Sequence, residues 1–581
     1  MSLIDYAVIV FYFVVVMGFG FWFQKRASQN LDAYYLGNKR MPWLVLAMSG
    51  SVSNFDITGT MWIVSMLFVL GMKSLWVHWM WGWMMGAFFL AYMGKWVRRS
   101  GVMTGAEWMI TRFGAGSGGV AARIAAALTA VVLMCAMVGY DFQGIGKFSH
   151  VYIPSLSAHT LAILIFVITT LYVLAGGLYS VVVTDVIQTL FVTAAAIVIA
   201  VIAYQSLSPE MLQAKLPADW ASPVPQWRVE HLAGTENAQY ELLGALVIVW
   251  VLKGLLLNAG GPGGMYEFQR FLAARDTRDA AKVGAAWSVF MIVRWAMAMG
   301  ITLLALVGLS ETVFDSEEAM PLVLSRYLPV GLKGLVISGL LAAFMSTFSS
   351  TLNSGASYLV RDFWQAFIRP NADQRHYIRA SYAATVLIMA VGIVIGLQVS
   401  SIAQIWNWIS MVFGAGLIIP NVLRWYWWRF NGWGYACGTL AGMVLALIPP
   451  VVAPDAPIYI VFPPIVFGSL LACIAGAWLT PQVDAQTLTA FYTNVRPFGF
   501  WGPVRRAAPL SPEARADTSE SAWRAAVNVL LGIVAITGAY LFPMYLVGHW
   551  HAQAAACAIA AAAATACLAW TWYRHLPPRR G

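Results

Sequence analysis

Nine consecutive positions beginning at Ser346 hold six hydroxyl side chains and one amide, within the stretch AAFMSTFSSTLNSGASYLVRDF. At about 100° per residue, Ala343, Ser346, Thr347 and Ser350 share one helical face, and Ser349 lies at its edge. A single hydroxyl in an apolar helix commonly bonds back to its own backbone, but a stripe of hydroxyls offers ligands suited to a hard cation. The carbonyls of an intact helix are already bonded, so further oxygens must come from an interrupted helix. The stripe therefore predicts part of a cation site.

Two interrupted apolar segments could supply those oxygens. The first is AMSGSVSNFDITGTMWIV, which carries glycines, hydroxyls, Asn54 and Asp56 halfway along its length. The second is LVIVWVLKGLLLNAGGPGGMYEFQRFLAARD, in which four glycines surround Pro262, a residue without an N–H to donate. An ionisable Asp56 at mid-depth in a membrane is costly unless it is used. Interruptions at corresponding places in two halves of a chain are typical of a transporter's binding site.

The composition places these segments in a membrane. Of 581 residues, 60% are hydrophobic and 10% are charged, against roughly 25% charged in soluble domains. Apolar runs of about 20 residues predict α-helical spans, and we predict an all-α polytopic membrane protein with about fifteen of them. The predicted spans lie near residues 3–23, 42–70, 75–95, 119–147, 158–177, 180–205, 240–266, 283–309, 331–358, 378–397, 402–424, 433–452, 458–479, 523–547 and 552–573.

The basic excess, a formal net charge of +10, reports topology. If the N-terminus lies outside, most of the 35 Lys and Arg residues fall in inner loops, which is the positive-inside pattern. We therefore expect an outer N-terminus, an inner C-terminus, an odd number of spans and a place in the cell inner (plasma) membrane. The same placement argues against a nucleic-acid partner; the expected partners are the lipid bilayer and a small-molecule solute, and the expected state is a monomer or weak oligomer.

Spans two to six and seven to eleven form two five-span units, each beginning with an interrupted helix. An odd number of spans turns the second unit upside down, which predicts an inverted repeat. Neither of the two long loops, 207–239 and 481–522, has the apolar content of a folded domain. The predicted division is an extra N-terminal helix and cytoplasmic loop (1–40), the first repeat (41–206), an extracellular loop (207–239), the second repeat (240–430), spans twelve and thirteen (431–480), a cytoplasmic linker (481–522) and two C-terminal helices (523–581).

Four motifs, in order along the chain, resemble those of the sodium:solute symporter family. They are SVSNF in the second span, GGLYSVVVTDVIQT (176–189), FQRFLAARD (268–276) and AAFMSTFSSTLNS in the ninth span. The resemblance runs from about residue 30 to 430. It implies a LeuT-type fold, a 5+5 inverted repeat of ten core helices, here with extra helices.

The resemblance also implies sodium ligands. One sodium would be held by carbonyls of the broken second helix and by a carbonyl and two hydroxyls of the ninth. Members with a second sodium add further hydroxyls and the Asp of the Thr-Asp motif, and both are present here. One or two ions are implied, with two favoured, and sodium is the only cofactor expected. The implied first site comprises Val52, Phe55, Ala343, Ser346 and Thr347; the second comprises Asp185, Ser346, Ser349 and Ser350.

The substrate contacts depart from the family's sugar carriers. Those carriers have aromatic residues where this chain has NAGGPGG, and a Glu where it has SLWVHWMWGWMM with only His78 as a polar group. Asp56 could bind an amine, a hydroxyl or an ion, and Arg294 could meet a carboxylate, a sugar oxygen or Asp141. Lys253 and Asp141 could each complete an ion pair. The substrate candidates are Asn54, Asp56, His78, Gly260, Gly261 and Arg294, and the tryptophans Trp62, Trp76, Trp79, Trp81 and Trp83 could line a pocket.

Together these features predict a sodium-coupled symporter that imports a small polar organic solute by alternating access, with a sugar slightly favoured. A proton-coupled symporter of an amino acid or organic acid is the alternative on the same fold, followed by a membrane-embedded sensor or enzyme. The eight histidines are scattered and show no paired metal spacing, so we expect no catalytic residues and no enzyme.

Overall fold

The computed structural model describes the chain except residues 28–40, 81, 236, 262–265, 310–314, 400, 454–455, 511, 513–519 and 578–581. The described residues are mostly helical, and their β-structure is limited to two isolated bridges, Met41 with Ala274 and Trp427 with Phe500. The predicted all-α class is confirmed for this part of the chain.

The long helices follow the predicted spans, and several of them are interrupted. They are α1 (Leu3–Ala27), α2a (Trp43–Ser53), α2b (Ile57–Leu70), α3 in the pieces Leu75–Trp79, Met85–Phe88, Phe89–Met93 and Gly94–Arg99, α4 (Ser117–Tyr152), α5 and α6 within one helical segment (Ala158–Ser206), α7a (Leu243–Ala259), α7b (Tyr266–Ala273), α8a (Thr277–Phe290), α8b (Ile292–Gly308), α9 (Leu332–Ser357) with a π-helical extension (Tyr358–Ile368), α10 (Gln374–Leu397), α11a (Ile402–Gly416), α11b (Ile418–Tyr426), α12 (Gly432–Ala446), α13 (Ile458–Leu479), α14 (Ala522–Val547) and α15 (His551–Thr571).

Short helices occupy the connections. They are Gly71–Ser74, Glu107–Phe113, Pro209–Lys215, Glu230–Leu232, Ala238–Tyr240, Ser316–Glu318, Ala319–Tyr327, Pro449–Val452, Ala485–Val495, Gly502–Ala507 and Tyr573–His575.

By length and composition, nine helices in the described ranges could cross a membrane, and four shorter apolar helices accompany them. The shorter ones are Leu3–Val16, Trp43–Ser53, Ala158–Leu171 and Leu243–Ala259. Two of these, α2a and α7a, are the first halves of interrupted helices. They are shorter than a full span because each ends at the break. The predicted total of about fifteen spans stays a prediction.

The helical segment Ala158–Ser206 folds back on itself. The ring of Phe166 lies 4.3 Å from the ring of Phe348 on α9, and Asp185 accepts a hydrogen bond from Ser346 on the same helix. A straight helix would separate Phe166 and Asp185 by about 28 Å, yet they contact α9 two positions apart. The segment therefore contains two antiparallel helices, α5 and α6, and this turn brings Asp185 to the middle of α9.

The loops predicted to lie inside meet at one end of the bundle. Arg98 Nε donates to the Ala274 carbonyl at 2.6 Å, and Arg112 Nε donates to the Arg424 carbonyl at 2.9 Å. These bonds join the end of α3 to the loop after α7b, and the helix before α4 to α11b. We call this end of the molecule the basic end.

The loops predicted to lie outside meet at the opposite end. Lys73 forms a 2.8 Å ion pair with Asp219, and the Tyr545 hydroxyl donates to the Ala221 carbonyl at 3.2 Å. Which end faces the cytoplasm stays a prediction that rests on the charge pattern.

Candidate functional site

The second helix is broken at Asn54–Asp56, as its sequence predicts. Its first half ends at Ser53 and its second half begins at Ile57. Asp56 caps the second half by accepting a 2.8 Å hydrogen bond from the Gly59 amide. On the same carboxylate, Arg294 from α8b forms a 2.9 Å ion pair and also donates to the Asn54 carbonyl at 2.5 Å. The break is therefore closed by charged partners inside the bundle.

The hydroxyl stripe of α9 faces this break. Thr347 Oγ1 lies 2.6 Å from the Ser53 carbonyl oxygen and 3.2 Å from the Ala343 carbonyl oxygen. The carbonyl of Val52 accepts from the Phe55 amide at 3.1 Å, so both of these predicted ligands lie in the turn that ends α2a. All five residues are buried. The structure thus brings together the two elements from which the cation site was predicted.

A carboxylate lies next to the same stripe. Ser346 Oγ donates to Asp185 Oδ1 at 2.6 Å, and Ser49 Oγ donates to Asp185 Oδ2 at 2.5 Å. Ser53 Oγ is 3.0 Å from Ser346 Oγ and 2.9 Å from Ser350 Oγ. Asp185, Ser346, Ser350, Ser49 and Ser53 define what we call the oxygen cage, which α2a, α6 and α9 build together.

Ser349 differs from its neighbours on α9. Its hydroxyl donates to the Ser346 carbonyl of its own helix at 3.1 Å, which is the back-bonding expected of hydroxyls in apolar helices. Its predicted role as a ligand of a second sodium stays a prediction and would require a different rotamer.

A cation from the protein reaches the oxygen cage. Arg270 on α7b is completely buried, and its Nη2 lies 2.5 Å from Ser350 Oγ and 3.7 Å from Asp185 Oδ2. The same nitrogen is 3.2 Å from Ser53 Oγ and 3.3 Å from Ser49 Oγ. The carboxylate in the cage is thereby paired with a guanidinium.

A cavity of about 110 Å³ lies beside the break. Four predicted substrate residues line it: Asn54, Asp56, His78 and Arg294. Thr347 of the cation stripe also lines it. The remaining lining residues are Gly59, Trp62, Ile63, Gly82, Trp83, Met85, Gly86, Met137, Tyr140, Trp287, Ser288, Met291, Trp295, Trp406 and Tyr540.

Gly260 and Gly261 are not among the residues that line this cavity in the described part of the chain. The Gly260 carbonyl accepts a 2.9 Å hydrogen bond from Trp425 Nε1, and Gly261 adopts a positive φ of 74°. The neighbouring positions 262–265, including Pro262, lie outside the described residues. A substrate contact at these two glycines stays a prediction.

Aromatic rings form much of the cavity wall. His78 packs edge-on against Trp62 and Trp295, with ring centroids 5.3 and 5.0 Å apart. Trp83 and Trp295 lie 4.5 Å apart. Of the predicted tryptophans, Trp62 and Trp83 line the cavity, whereas Trp76 and Trp79 are not among its lining residues and pack against one another; Trp81 lies outside the described residues. The cavity wall thus combines flat aromatic faces with a small number of polar side chains.

Three other buried charges were left open by the sequence. Arg294 pairs with Asp56, a partner that the sequence did not assign to it, and a contact between Arg294 and the solute stays a prediction. Neither oxygen of Asp141 has a hydrogen-bond partner among the described residues. Lys253 Nζ lies 3.8 Å from the sulfur of Met80, and no ion pair to either Lys253 or Asp141 occurs within the described ranges.

Sequence reasoning missed several members of the site. Ser49 and Ser53 are four residues apart on α2a and so share a helical face, a signal of the same kind as the α9 stripe. Arg270 belongs to the FQRFLAARD motif, but nothing local indicates that its side chain enters the cage. The cavity residues Tyr140, Trp287, Trp406 and Tyr540 come from helices far apart in the chain, and no spacing could have joined them.

Comparison with known proteins finds relatives among sodium-coupled carriers. The chain is 24% identical over 475 residues to a sodium/glucose cotransporter 4 of Danio rerio, covering 76% of this chain and 71% of the relative. It is 24% identical over 481 residues to a sodium/glucose cotransporter of Vibrio parahaemolyticus, covering 77% and 85%. It is 23% identical over 511 residues to a sodium/proline symporter of Haemophilus influenzae, covering 84% and 97%.

Among solved structures, a Na+-coupled sialic acid symporter superimposes with a TM-score of 0.66 at 17% identity, covering 83% of this chain and 99% of that one. This likeness shows that the fold is the predicted LeuT type. The model of the family described as "Sodium:solute symporter family" matches residues 34–445, well over half of the chain. Its members and the relatives above are multi-pass membrane transporters, not enzymes. The chain belongs to the sodium:solute symporter family and is a sodium-coupled transporter.

Proposed function

We propose that this protein imports a small polar organic solute together with sodium by alternating access. The observation that carries the proposal is the 2.6 Å contact between Thr347 Oγ1 and the Ser53 carbonyl. It joins the hydroxyl stripe of α9 to the break in α2, and Thr347 also lines the cavity. A cation bound there would affect both helices and the solute space at once.

The first sodium would take oxygens from both sides of this contact. Hydroxyl and carbonyl oxygens are hard ligands, and the end of a broken helix provides carbonyls that an intact helix lacks. The proposed ligands are the carbonyls of Val52, Phe55 and Ala343 and the hydroxyls of Ser346 and Thr347. A second sodium, the favoured stoichiometry, would use Asp185 with Ser346, Ser349 and Ser350.

The cavity supports a neutral, oxygen-rich ring such as a sugar as the solute. Asp56 and Arg294 neutralise each other at 2.9 Å, and Arg294 is further occupied by the Asn54 carbonyl. A zwitterion or a carboxylic acid would have to compete with these bonds, whereas a sugar could pack on the faces of Trp62 and Trp295 and bond to Asn54 and His78. Relatives include carriers named for glucose as well as for proline, so an amino acid is the main competitor.

The driving force follows from the ion. Inward movement of one sodium across a potential of 100 mV supplies about 2.3 kcal/mol, and a second ion doubles it. Sodium that bridges α2 and α9 would favour the outward-facing arrangement and complete the solute site. Rocking of one helix set against the other would then expose both to the cytoplasm, where dilute sodium leaves. Coupling arises because the two arrangements bind sodium with different affinity.

Uptake into proteoliposomes tests the proposal. We expect accumulation of one member of a panel of radiolabelled sugars, amino acids and organic acids when an inward sodium gradient is imposed. Lithium and pH gradients, imposed separately, are the comparisons. Accumulation that is unaffected by sodium, or absent for the whole panel, would contradict the proposal.

The ion ligands are tested by Ser346→Ala and Thr347→Ala. Each removes one hydroxyl from the proposed site, and we expect the sodium concentration for half-maximal uptake to rise about tenfold, the effect of about 1.4 kcal/mol. Ser338→Ala is the matched control, because Ser338 is a buried hydroxyl on the same helix whose bond, within the described residues, is to the Gly334 carbonyl. Unchanged sodium dependence in both test variants would refute the first site.

One observation favours the second candidate, a proton-coupled symporter of an amino acid or organic acid. Asp141 is completely buried, and neither of its oxygens is hydrogen-bonded within the described residues. A charged carboxylate without a partner is costly in a bilayer, so this side chain is suited to carry a proton. Accumulation driven by the pH gradient alone, lost in Asp141→Asn, would establish this candidate over sodium coupling.

A further inference from the structure

The cation already in the oxygen cage is the guanidinium of Arg270. It comes from α7b, whereas the cage oxygens come from α2a, α6 and α9. Its Nη2 atom contacts the cage at four points, from 2.5 Å at Ser350 Oγ to 3.7 Å at Asp185 Oδ2. Both Arg270 and Asp185 are completely buried.

The cage could serve a metal cation as well as a guanidinium. Four serine hydroxyls and one carboxylate are all oxygen donors, and they are linked by bonds of 2.5–3.0 Å. An unpaired carboxylate buried at this depth requires a cation or a proton. One carboxylate can compensate one positive charge, and a second cation within a few ångströms would meet the repulsion of the first without water to screen it.

We propose that Arg270 is a tethered cation that excludes the second sodium: in the conformation seen here the guanidinium holds Asp185, and a second sodium enters only when α7b withdraws it. The inference rests on the proposed function, since it concerns the second ion of the same site. Exchange of one cation for the other keeps Asp185 paired at every stage. The number of sodium ions bound therefore depends on the position of α7b.

Arg270 lies on α7b, so the position of this helix determines whether the guanidinium is in the cage. α7a ends at Ala259 and α7b begins at Tyr266, so Arg270 lies in the second half of the seventh helix. A movement of α7b away from α2a, α6 and α9 would carry Arg270 out of the cage, and return of α7b would bring the guanidinium back as sodium leaves. Arg270 is thus a positioning residue that links helix seven to the occupancy of the ion site.

Equilibrium binding of ²²Na⁺ to the purified, solute-free full-length chain tests the proposal. Arg270→Gln keeps a polar, unbranched side chain, shorter than that of arginine, and removes the competing charge. We expect one sodium per wild-type chain and two per Arg270→Gln chain. The sodium concentration that half-saturates the second site should be at least about tenfold lower in the variant than in the wild type. We also expect sodium to raise the melting temperature more in the variant, because sodium then provides the only cation for Asp185.

Three controls make the outcome decisive. Arg112→Gln removes another completely buried guanidinium, at the basic end, which bonds to main-chain carbonyls, and it should leave sodium stoichiometry unchanged. Asp185→Asn combined with Arg270→Gln should abolish the added site. Arg270→Lys retains the charge and should bind sodium as the wild type does. Should Arg270→Gln fail to fold, Arg270→Ala, purified in the presence of sodium, replaces it.

A folded Arg270 variant that binds sodium with wild-type stoichiometry and affinity would overturn the inference while leaving the proposed function intact. A wild-type chain that binds no sodium at any concentration would instead overturn the proposed function. Two sodium ions bound per wild-type chain with affinities unaltered by Arg270→Gln would also overturn the inference.

Discussion

At the breaks of the two interrupted helices, the backbone carbonyls accept hydrogen bonds from different kinds of donor. At the break in α2, Arg294 donates to the Asn54 carbonyl at 2.5 Å and pairs with Asp56 at 2.9 Å. At the end of α7a, the donors to the carbonyls are neutral. The Tyr426 hydroxyl donates to the Ala259 carbonyl, and the Trp425 indole N–H donates to the Gly260 carbonyl, both at 2.9 Å.

Both arrangements satisfy carbonyls that a continuous helix would have bonded internally. Charge-assisted hydrogen bonds are roughly twice as strong as neutral ones, and a buried charge cannot leave its partner without a large cost. We therefore infer that the break in α2 is a fixed feature of the fold. At the break in α7, the end of α7a is held by neutral bonds. The charged contact of α7b, from Arg270 to Asp185, is one in which sodium can replace the guanidinium, so this break is the one suited to movement.

The neutral donors are themselves anchored from outside the family match. Trp501 Nε1 donates to the Trp425 carbonyl and the Phe500 amide donates to the Tyr426 carbonyl, both at 2.7 Å. Trp501 and Phe500 belong to the segment predicted as a cytoplasmic linker, beyond residue 445 where the family model ends. The linker thus reaches the break in α7 through α11b, and among the described contacts none joins the linker to the break in α2.

Arg294→Met should produce the largest effect, because it removes the charge that closes the break in α2. Asp56 is then left buried and without its ion-pair partner, which costs about 3–5 kcal/mol of unfolding free energy. We expect loss of that stability, measured by denaturant unfolding in detergent, together with loss of uptake.

Two comparisons test whether this cost comes from the buried charge. Asp56→Asn with Arg294→Met removes both charges while retaining a side chain that can cap α2b, and should recover part of the stability. Lys73→Met breaks the pair with Asp219, which is 51% exposed, and should cost at most about 1 kcal/mol. Equal losses of unfolding free energy in Arg294→Met and Lys73→Met would contradict the inferred difference between the buried ion pair and the exposed one.

Glu520→Gln should have an intermediate effect, because Glu520 anchors the linker that supports α7. Burial disfavours its ionised form, but Arg99 and Lys95 at 2.6 and 3.2 Å outweigh burial and lower the pKa of Glu520 from 4.5 to about 2. A lowered pKa in the folded state means that the ionised group stabilises the fold above pH 4.5 and loses this contribution as the pH falls toward 2. At pH 7 we expect the variant to lose about 1.5–3 kcal/mol.

The pH dependence separates this effect from a general loss of packing. The difference in melting temperature between wild type and Glu520→Gln should shrink as the pH is lowered from about 4.5 to 2 and stay constant between pH 6 and 8. A difference that is independent of pH throughout would indicate that the ion pairs of Glu520 are unimportant and that the linker is held by its aromatic contacts.

The contrast between the two breaks shows what the sequence could and could not predict. Gly, Asn and Asp in the second span, and the glycines around Pro262, are local signals, and the breaks at Asn54–Asp56 and after Ala259 follow from them. The stripe of α9 is equally local, since helical periodicity alone puts Ser346 and Thr347 on one face.

The partners of these features carry no local signal. Arg294 is 238 positions from Asp56 and Arg270 is 80 positions from Ser350. The sequence offered Asp141, and not Asp56, as a protein partner of Arg294, and it gave Arg270 no part in the site. Their pairing depends on how α8b and α7b cross the other helices. The sequence therefore indicates where oxygens are exposed, whereas the fold decides which cation or donor meets them.

Tyr426→Phe should have the smallest effect on stability and the most informative effect on transport. It removes the hydroxyl that donates to the Ala259 carbonyl but keeps the ring, so we expect a loss of only about 1 kcal/mol. If the break in α7 is the one that moves, weakening its support should change the rate of sodium-driven uptake severalfold. Tyr92→Phe is the matched control, because Tyr92 lies 2.6 Å from the Tyr426 hydroxyl yet makes no bond to the break itself among the described contacts. A change in uptake rate confined to Tyr426→Phe would identify the Ala259 bond as a support of the moving helix, whereas equal rates in both variants and the wild type would mean that this bond does not restrain it.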